Sequence, residues 1–331
     1  MGRFALGFVL VVVSCRAQDG LVSFDGPPTL ASAEAGAKAE TPAPAQSSAT
    51  GEGGARDDGS SEPDVASEGC AAEPVTLEEI HAGRVRSGRT LSLTGLVASS
   101  QKFLVSEARS GSCLWGAFAA GVGKSGAGSG LFLVSFGAPH ADGEACAAGA
   151  DGLPDDLRAG DALDVEGTLD SYVPAACDGV APAPQLRIDA ACPVRRGAPT
   201  LAPEPSVIDS ALAARLAAGK DAQLLRDWSG ALVALEAVSA VEDPDDGDAV
   251  FPFGVIQLAQ TPLEVHSKLY YFDLSEGGPR AAVKTLRLDY PWSFQRIVGL
   301  VFLDYCSWSL APRDRCRDLS PASKDCAPRA D

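Results

Sequence analysis

The chain has 331 residues, with 44 acidic against 27 basic side chains and a formal charge of −17. That balance repels a polyanion at long range and disfavours strong nucleic-acid binding. Only three histidines occur, His81, His140 and His266; none stands at ligand spacing from a cysteine, so zinc is disfavoured and no cofactor is implied.

The N-terminus reads MGRFALGFVLVVVSC. Arg3 supplies a positive start, and Phe4–Val13 is a short apolar run. At about 1.5 Å per residue it is too short for a hydrocarbon core of roughly 30 Å. A removed export signal over residues 1–14 is the expectation. An ordinary signal cut after Ala17 is the alternative. Val12-Val13-Ser14-Cys15 resembles the lipobox of bacterial lipoproteins. The resemblance implies cleavage before Cys15 and acyl chains, palmitate among them, on Cys15. The membrane is then the first expected partner. By analogy with lipoprotein sorting in enteric bacteria, Arg16 next to the anchor points to the outer membrane.

Nine cysteines are present: Cys15, Cys70, Cys113, Cys146, Cys177, Cys192, Cys306, Cys316 and Cys326. Lipidation of Cys15 leaves eight, enough for four disulfides in an oxidising compartment. No C-x-x-C motif occurs. Cys306–Cys316 is the local pairing expected across a turn, with Cys146–Cys177 and Cys70–Cys192 as further candidates. Five of the eight run from Cys70 to Cys192 and three from Cys306 onward. Full pairing therefore needs at least one bridge between the two halves.

Residues 15–75 are rich in Ala, Gly, Ser, Pro and acid. Such a segment buries too little apolar surface to offset its ordering entropy. It reads as a flexible acidic linker that holds the folded part off the membrane.

The remainder divides near ACPVRRGAPTLAPEPS, where proline and small residues cluster. The first block, 76–198, opens with the short helix VTLEEIHAG, capped by Thr76 with Glu79 in the capping-box position. Strands follow at 90–99, around a central Gly95, and at 101–108, 114–121, 130–137, 161–173 and 185–190. The second block, 199–331, opens with a helix in SVIDSALAARLAAG, capped by Asp209 or Ser210. Strands are expected in DWSGALVALEAVSAVED, FGVIQLA, LEVHSKLYYFDL and SFQRIVGLVFLDYCSWSL.

The order T-L-S-L-T-G-L-V, F-L-V-S-E, L-W-G-A-F, G-D-A-L-D-V-E-G-T-L and Q-L-R-I resembles the OB-fold domains of bacterial secreted proteins, including those beside extracellular nucleases. Gly160-Asp161 through Gly167 carries the resemblance best; a glycine there lets a barrel strand coil. The closing stretch with Ile297, Gly299, Val301, Trp308, Leu310, Pro312, Arg313 and Asp318 resembles the end of the same tandem proteins. The expected fold is all-β, two small OB-like β-barrels in tandem after the signal and linker. One extended β-sandwich is the alternative.

No nucleophile elbow, zincin helix or Walker loop is present. AAGVGKSGAGSG fails the Walker spacing because Phe118 stands where the first glycine belongs. EDPDDGDAV departs from a calcium loop: its glycine comes one place early and Gly254 stands where the final glutamate belongs. Two arginine groups remain, Arg84, Arg86 and Arg89, and Arg313, Arg315 and Arg317. With Phe103, Trp115 and Phe118 as stacking candidates they form the possible ligand-binding set, weighed against solvated turns and core packing. The expected role is non-catalytic binding or structure in the cell envelope, with another envelope protein or a saccharide as partner. An accessory nucleic-acid-binding module is the alternative, and a hydrolase the third class.

Overall fold

The computed structural model describes residues 72–107, 113–137, 146, 149, 151–173, 177–241, 255–271, 293–322 and 326. All lie in one compact unit, Pro63–Asp331. The signal, Cys15, Cys70, nearly all of the linker, His140 and the acidic stretch 242–250 lie outside the described residues. The described part is mostly β-sheet with short helices.

The first half comprises β1 (Glu73–Pro74), α1 (Leu77–His81), β2 (Thr90–Ala98), β3 (Phe103–Glu107), β4 (Cys113–Gly121), β5 (Gly130–Phe136), β6 (Ala162–Tyr172), β7 (Ala183–Ile188) and β8 (Arg195–Arg196). The capping box at Thr76 forms as expected, with Thr76 and Glu79 each accepting from the other's backbone. The second half comprises β9 (Ser206–Val207), α2 (Ser210–Ala217), α3 (Ala222–Trp228), β10 (Leu232–Ser239), β11 (Val255–Leu258), β12 (Thr261–His266), α4 (Lys268–Tyr271), β13 (Ser293–Asp304), β14 (Ser307–Ala311) and β15 (Leu319–Ser320). Asp209 caps α2. The expected strand LEVHSKLYYFDL stops at His266, and α4 begins two residues later. α3 was not expected; Asp221 caps it by accepting from the Leu224 backbone.

Pairing in the first sheet runs β2–β4–β5–β7–β6 and returns to β2. Only β5–β7 is parallel within this cycle. β1 lies parallel on β2, β3 forms a hairpin with β4, and β8 lies on β6. The second sheet has the same wiring. β10 pairs β13, β13 pairs β14, β14 runs parallel to β12, and β12 pairs β11. The Ala240–Leu258 bridge brings β11 back to β10. β9 lies parallel on β10, and β15 lies on β13.

The register makes the correspondence residue-specific. Gly167 of β6 faces Leu91, and Gly299 of β13 faces Val233. A Cβ on Gly167 would lie 2.5 Å from the Arg187 carbonyl oxygen, and one on Gly299 2.9 Å from the Ala311 carbonyl carbon. Each glycine lets the neighbouring strand approach. Gly95, at φ 68°, sits in the register shift between Leu93 and Leu96. That shift keeps Leu91, Leu93 and Leu96 all buried.

Each sheet encloses its own apolar core. The first contains Leu93, Trp115, Leu133, Val165 and Leu186; the second contains Leu216, Val233, Leu263, Ile297 and Trp308. A third core lies between the sheets. Phe103, Phe118, Phe132 and Val134 on the outside of β3–β5 meet Leu232, Val298, Leu300 and Phe302 on the outside of β10 and β13. Phe118 and Phe132 stack at 4.6 Å, and Phe302 stands edge-on to both at 5.5 and 5.2 Å. Such pairs add specific geometry to the burial of large apolar area. Gly116 makes room: a Cβ there would lie 2.7 Å from the Phe132 ring.

Three disulfides are described, Cys113–Cys146, Cys177–Cys306 and Cys316–Cys326. Cys192 is also disulfide-bonded. The expected Cys306–Cys316 and Cys146–Cys177 pairs are thus incorrect, and Cys70 of the third expected pair lies outside the described residues. Cys306 turns away from its sequence neighbour because the β13–β14 turn abuts the β6–β7 connection, where Cys177 stands. Cys146, in the connection between β5 and β6, returns to Cys113 at the start of β4. Cys177–Cys306 is the bridge between halves that the cysteine count required.

Candidate functional site

The structure separates the residues singled out from the sequence. Phe103, Trp115 and Phe118 are each fully buried. Phe103 and Phe118 belong to the core between the sheets, and Trp115 to the core of the first sheet. Their faces are covered by protein and offer no stacking platform; this corrects the stacking assignment. Arg84, Arg86 and Arg89 are exposed in the turn between α1 and β2, and Arg89 pairs with Glu73 at 2.5 Å. Arg313 is committed to structure. It makes a bidentate pair with Asp318, at 3.0 and 2.8 Å, and donates to the Ser99 carbonyl of the first half at 3.3 Å. Arg317 pairs with Asp314 at 3.4 Å, and Arg315 stands between them in the same turn.

His81 is buried, with its ring nitrogens 2.7 Å from the Arg226 carbonyl and 2.8 Å from that of Gly130. It fastens α1 to both halves and is a packing residue.

A cluster that the sequence analysis did not assemble lies on the outside of the second sheet. The alternation of β12 places Leu263 and Val265 in the core and Glu264 and His266 on the opposite face. His266 Nδ1 is 3.2 Å from Asp304 at the end of β13, and Nε2 is 3.4 Å from Glu264. Lys268, at the start of α4, donates to the other oxygen of Asp304. Lys268 also lies over the Phe302 ring at 5.6 Å. Burial alone would push the His266 imidazole down, but its bonds to Asp304 and Glu264 outweigh this and raise it to about 9. Burial would push Asp304 up; His266 and Lys268 instead hold its carboxyl well below the usual range. Burial and the nearby Asp304 raise the Tyr172 phenol. Both ring nitrogens of His266 are therefore occupied by carboxylates, and neither is placed to take a proton from a substrate.

The repeat gives this cluster its meaning. Register through β7 and β14 aligns Leu133 with Val265, and so Phe132 with Glu264 and Val134 with His266. The face that is aromatic and buried in the first half is charged and half-exposed in the second. The signal in sequence was the spacing of Glu264, His266 and Lys268 at alternate positions. Asp304, the hub, is brought in only by strand pairing. Among the described residues no group of three His, Cys, Asp or Glu side chains is arranged to hold a metal ion, and no helix is long and apolar enough to cross a membrane. The chain matches no known protein family, no curated protein and no solved structure.

Proposed function

We propose that this chain is an exported, lipid-anchored envelope protein that binds a saccharide without catalysis, through the second of two OB-like barrels. The cyclic order first–second–third–fifth–fourth, with the third and fifth core strands parallel, supports the OB-like reading of both halves. The Val12-Val13-Ser14-Cys15 sequence supports the anchor, and the disulfides accord with an oxidising compartment.

The observation that carries the reading is the fate of one face. OB folds bind oligosaccharides and oligonucleotides on the face of their second and third strands. In the first half that face is β4–β5, closed off by the second sheet. In the second half it is β11–β12, where Glu264 and His266 remain partly accessible. The charges of Glu264, His266, Lys268 and Asp304 balance, so the patch suits a ligand rich in hydroxyls rather than a polyanion.

The test is a titration of residues 63–331 with a panel of cell-wall and surface oligosaccharides, followed by calorimetry, beside labelled single-stranded DNA at low salt. Saccharide binding that Glu264→Gln weakens supports the proposal. DNA binding that falls steeply with salt supports the alternative nucleic-acid module. Binding of neither moves the search to envelope proteins. Metabolic labelling with an alkyne fatty acid, lost in Cys15→Ala, tests the anchor separately.

A further inference from the structure

Lys102 stands just before β3, and its side chain is wholly buried. Its Nζ donates to Asp151 Oδ2 at 2.6 Å, to the Leu153 carbonyl at 3.1 Å and to Asp155 Oδ1 at 2.5 Å. The Trp115 ring lies 4.9 Å away. The Asp151 side chain is equally buried, and its second oxygen accepts from the Leu153 backbone N–H at 2.8 Å. The surrounding segment is fixed. Gly152 N–H donates to Ser135 Oγ at 2.8 Å, and the Gly152 carbonyl accepts from Val194 at 2.9 Å. A Cβ on Gly152 would lie 2.5 Å from Ile188. An amine and a carboxyl are thus held in contact, dry, beside a second carboxyl. Such positioning replaces a bimolecular encounter by a unimolecular step.

We propose that Lys102 and Asp151 condense to an intramolecular isopeptide bond, with Asp155 as the proton carrier. A proton first moves from Nζ to Asp151 Oδ2 along the existing hydrogen bond. This gives a neutral amine and a neutral acid, leaves Asp155 ionised and conserves the net charge. Burial disfavours separated charges and so favours this transfer. Nζ then attacks Cγ of Asp151. The Leu153 N–H stabilises the negative charge that develops on Oδ1. Asp155 takes a proton from the attacking nitrogen and passes it to the Oδ2 hydroxyl, which leaves as water. The Nζ–Cγ bond forms and the Cγ–Oδ2 bond breaks. Nothing is oxidised or reduced, and Asp155 returns to its starting state. The Asp155 side chain is 45% exposed, which gives the departing water a way out. The product ties the start of β3 to the segment that leads into β6.

Mass spectrometry of the reduced, alkylated mature chain tests this directly. The expected result is a chain lighter than its sequence by one water, with a branched tryptic peptide joining Lys102 to Asp151. Asp155→Asn should keep the water, and a digest without reduction should show the same disulfides as the wild type. Full mass in the unmodified protein overturns the proposal. So does a water loss that maps to a succinimide at Asp151–Gly152, which hydroxylamine cleaves and an isopeptide resists. A cross-link that persists in Asp155→Asn overturns the role given to Asp155.

Discussion

Gly130 and Gly230 meet backbone to backbone. A Cβ built on Gly130 would lie 2.1 Å from the carbonyl carbon of Gly230, and Gly230 itself holds φ at 72°. One glycine opens β5 of the first half and the other precedes β10 of the second, so the two halves touch without side chains between them. Beside this contact Gly128 N–H donates to the Asp227 carbonyl at 2.6 Å. Gly130→Ala is expected to force the strands apart and to cost at least about 1–3 kcal/mol, the usual range for overpacking. Urea unfolding measures it; wild-type stability in this variant would mean the two backbones do not approach.

Among the described residues, Phe302 is the one aromatic of the second half that reaches the Phe103–Phe118–Phe132 group. Phe302→Ala should cost about 3–5 kcal/mol, and Phe302→Leu much less. A loss under about 1 kcal/mol for the alanine variant would show that the aromatic core contributes little to docking.

His266 gives stability a defined alkaline limit. Its folded value, about 9, lies above the ordinary 6.5. Its contribution is therefore complete below about 6.5 and is lost as pH rises through about 9. The size is on the order of 3 kcal/mol. Asp304 acts in the opposite sense: its contribution is present above the ordinary carboxylate range and is lost as pH falls through its lowered folded value. Thermal melts from pH 6 to 10 should decline for the wild type and flatten for His266→Gln. An equal decline in both proteins would assign the alkaline loss to other groups.

The disulfides should differ in worth by the loops they close. Cys177–Cys306 spans 129 residues and Cys316–Cys326 spans 10. Chain entropy alone makes the longer bridge worth about 2 kcal/mol more. Paired Cys→Ser variants compared by denaturant midpoint check this. Equal losses would mean that the long loop is already constrained in the unfolded chain.

Much of the strand pattern was legible in sequence, and the reasons for the remainder are physical. DALDVEGTLDSYV alternates because β6 buries Leu163, Val165 and Leu169 on one face only. The Thr76 capping box is local and was read directly. LWGAFAAG and GLFLVSFG do not alternate, because β4 and β5 are buried on both faces. From sequence the outward Phe118 is indistinguishable from a ligand-stacking residue; only the partner sheet decides. Lys102 and Asp151, and His266 and Asp304, are joined by tertiary placement that no spacing encodes. The disulfide pattern escaped for the same reason.

Equivalent positions in the two halves carry opposite chemistry, and this decides which faces meet. The docking face of the second half uses Val298, Leu300 and Phe302; the aligned positions of the first half are Glu166, Thr168 and Asp170. Glu166 and Asp170 are engaged there by Arg195 and Arg187. At the other end, Glu264 and His266 replace Phe132 and Val134. A head-to-tail contact between different surfaces can propagate into a filament when both surfaces recur on every unit. Here each apolar surface lies on one half only and the equivalent positions of the other carry charge, so the contact that joins the halves is not offered a second time among the described residues.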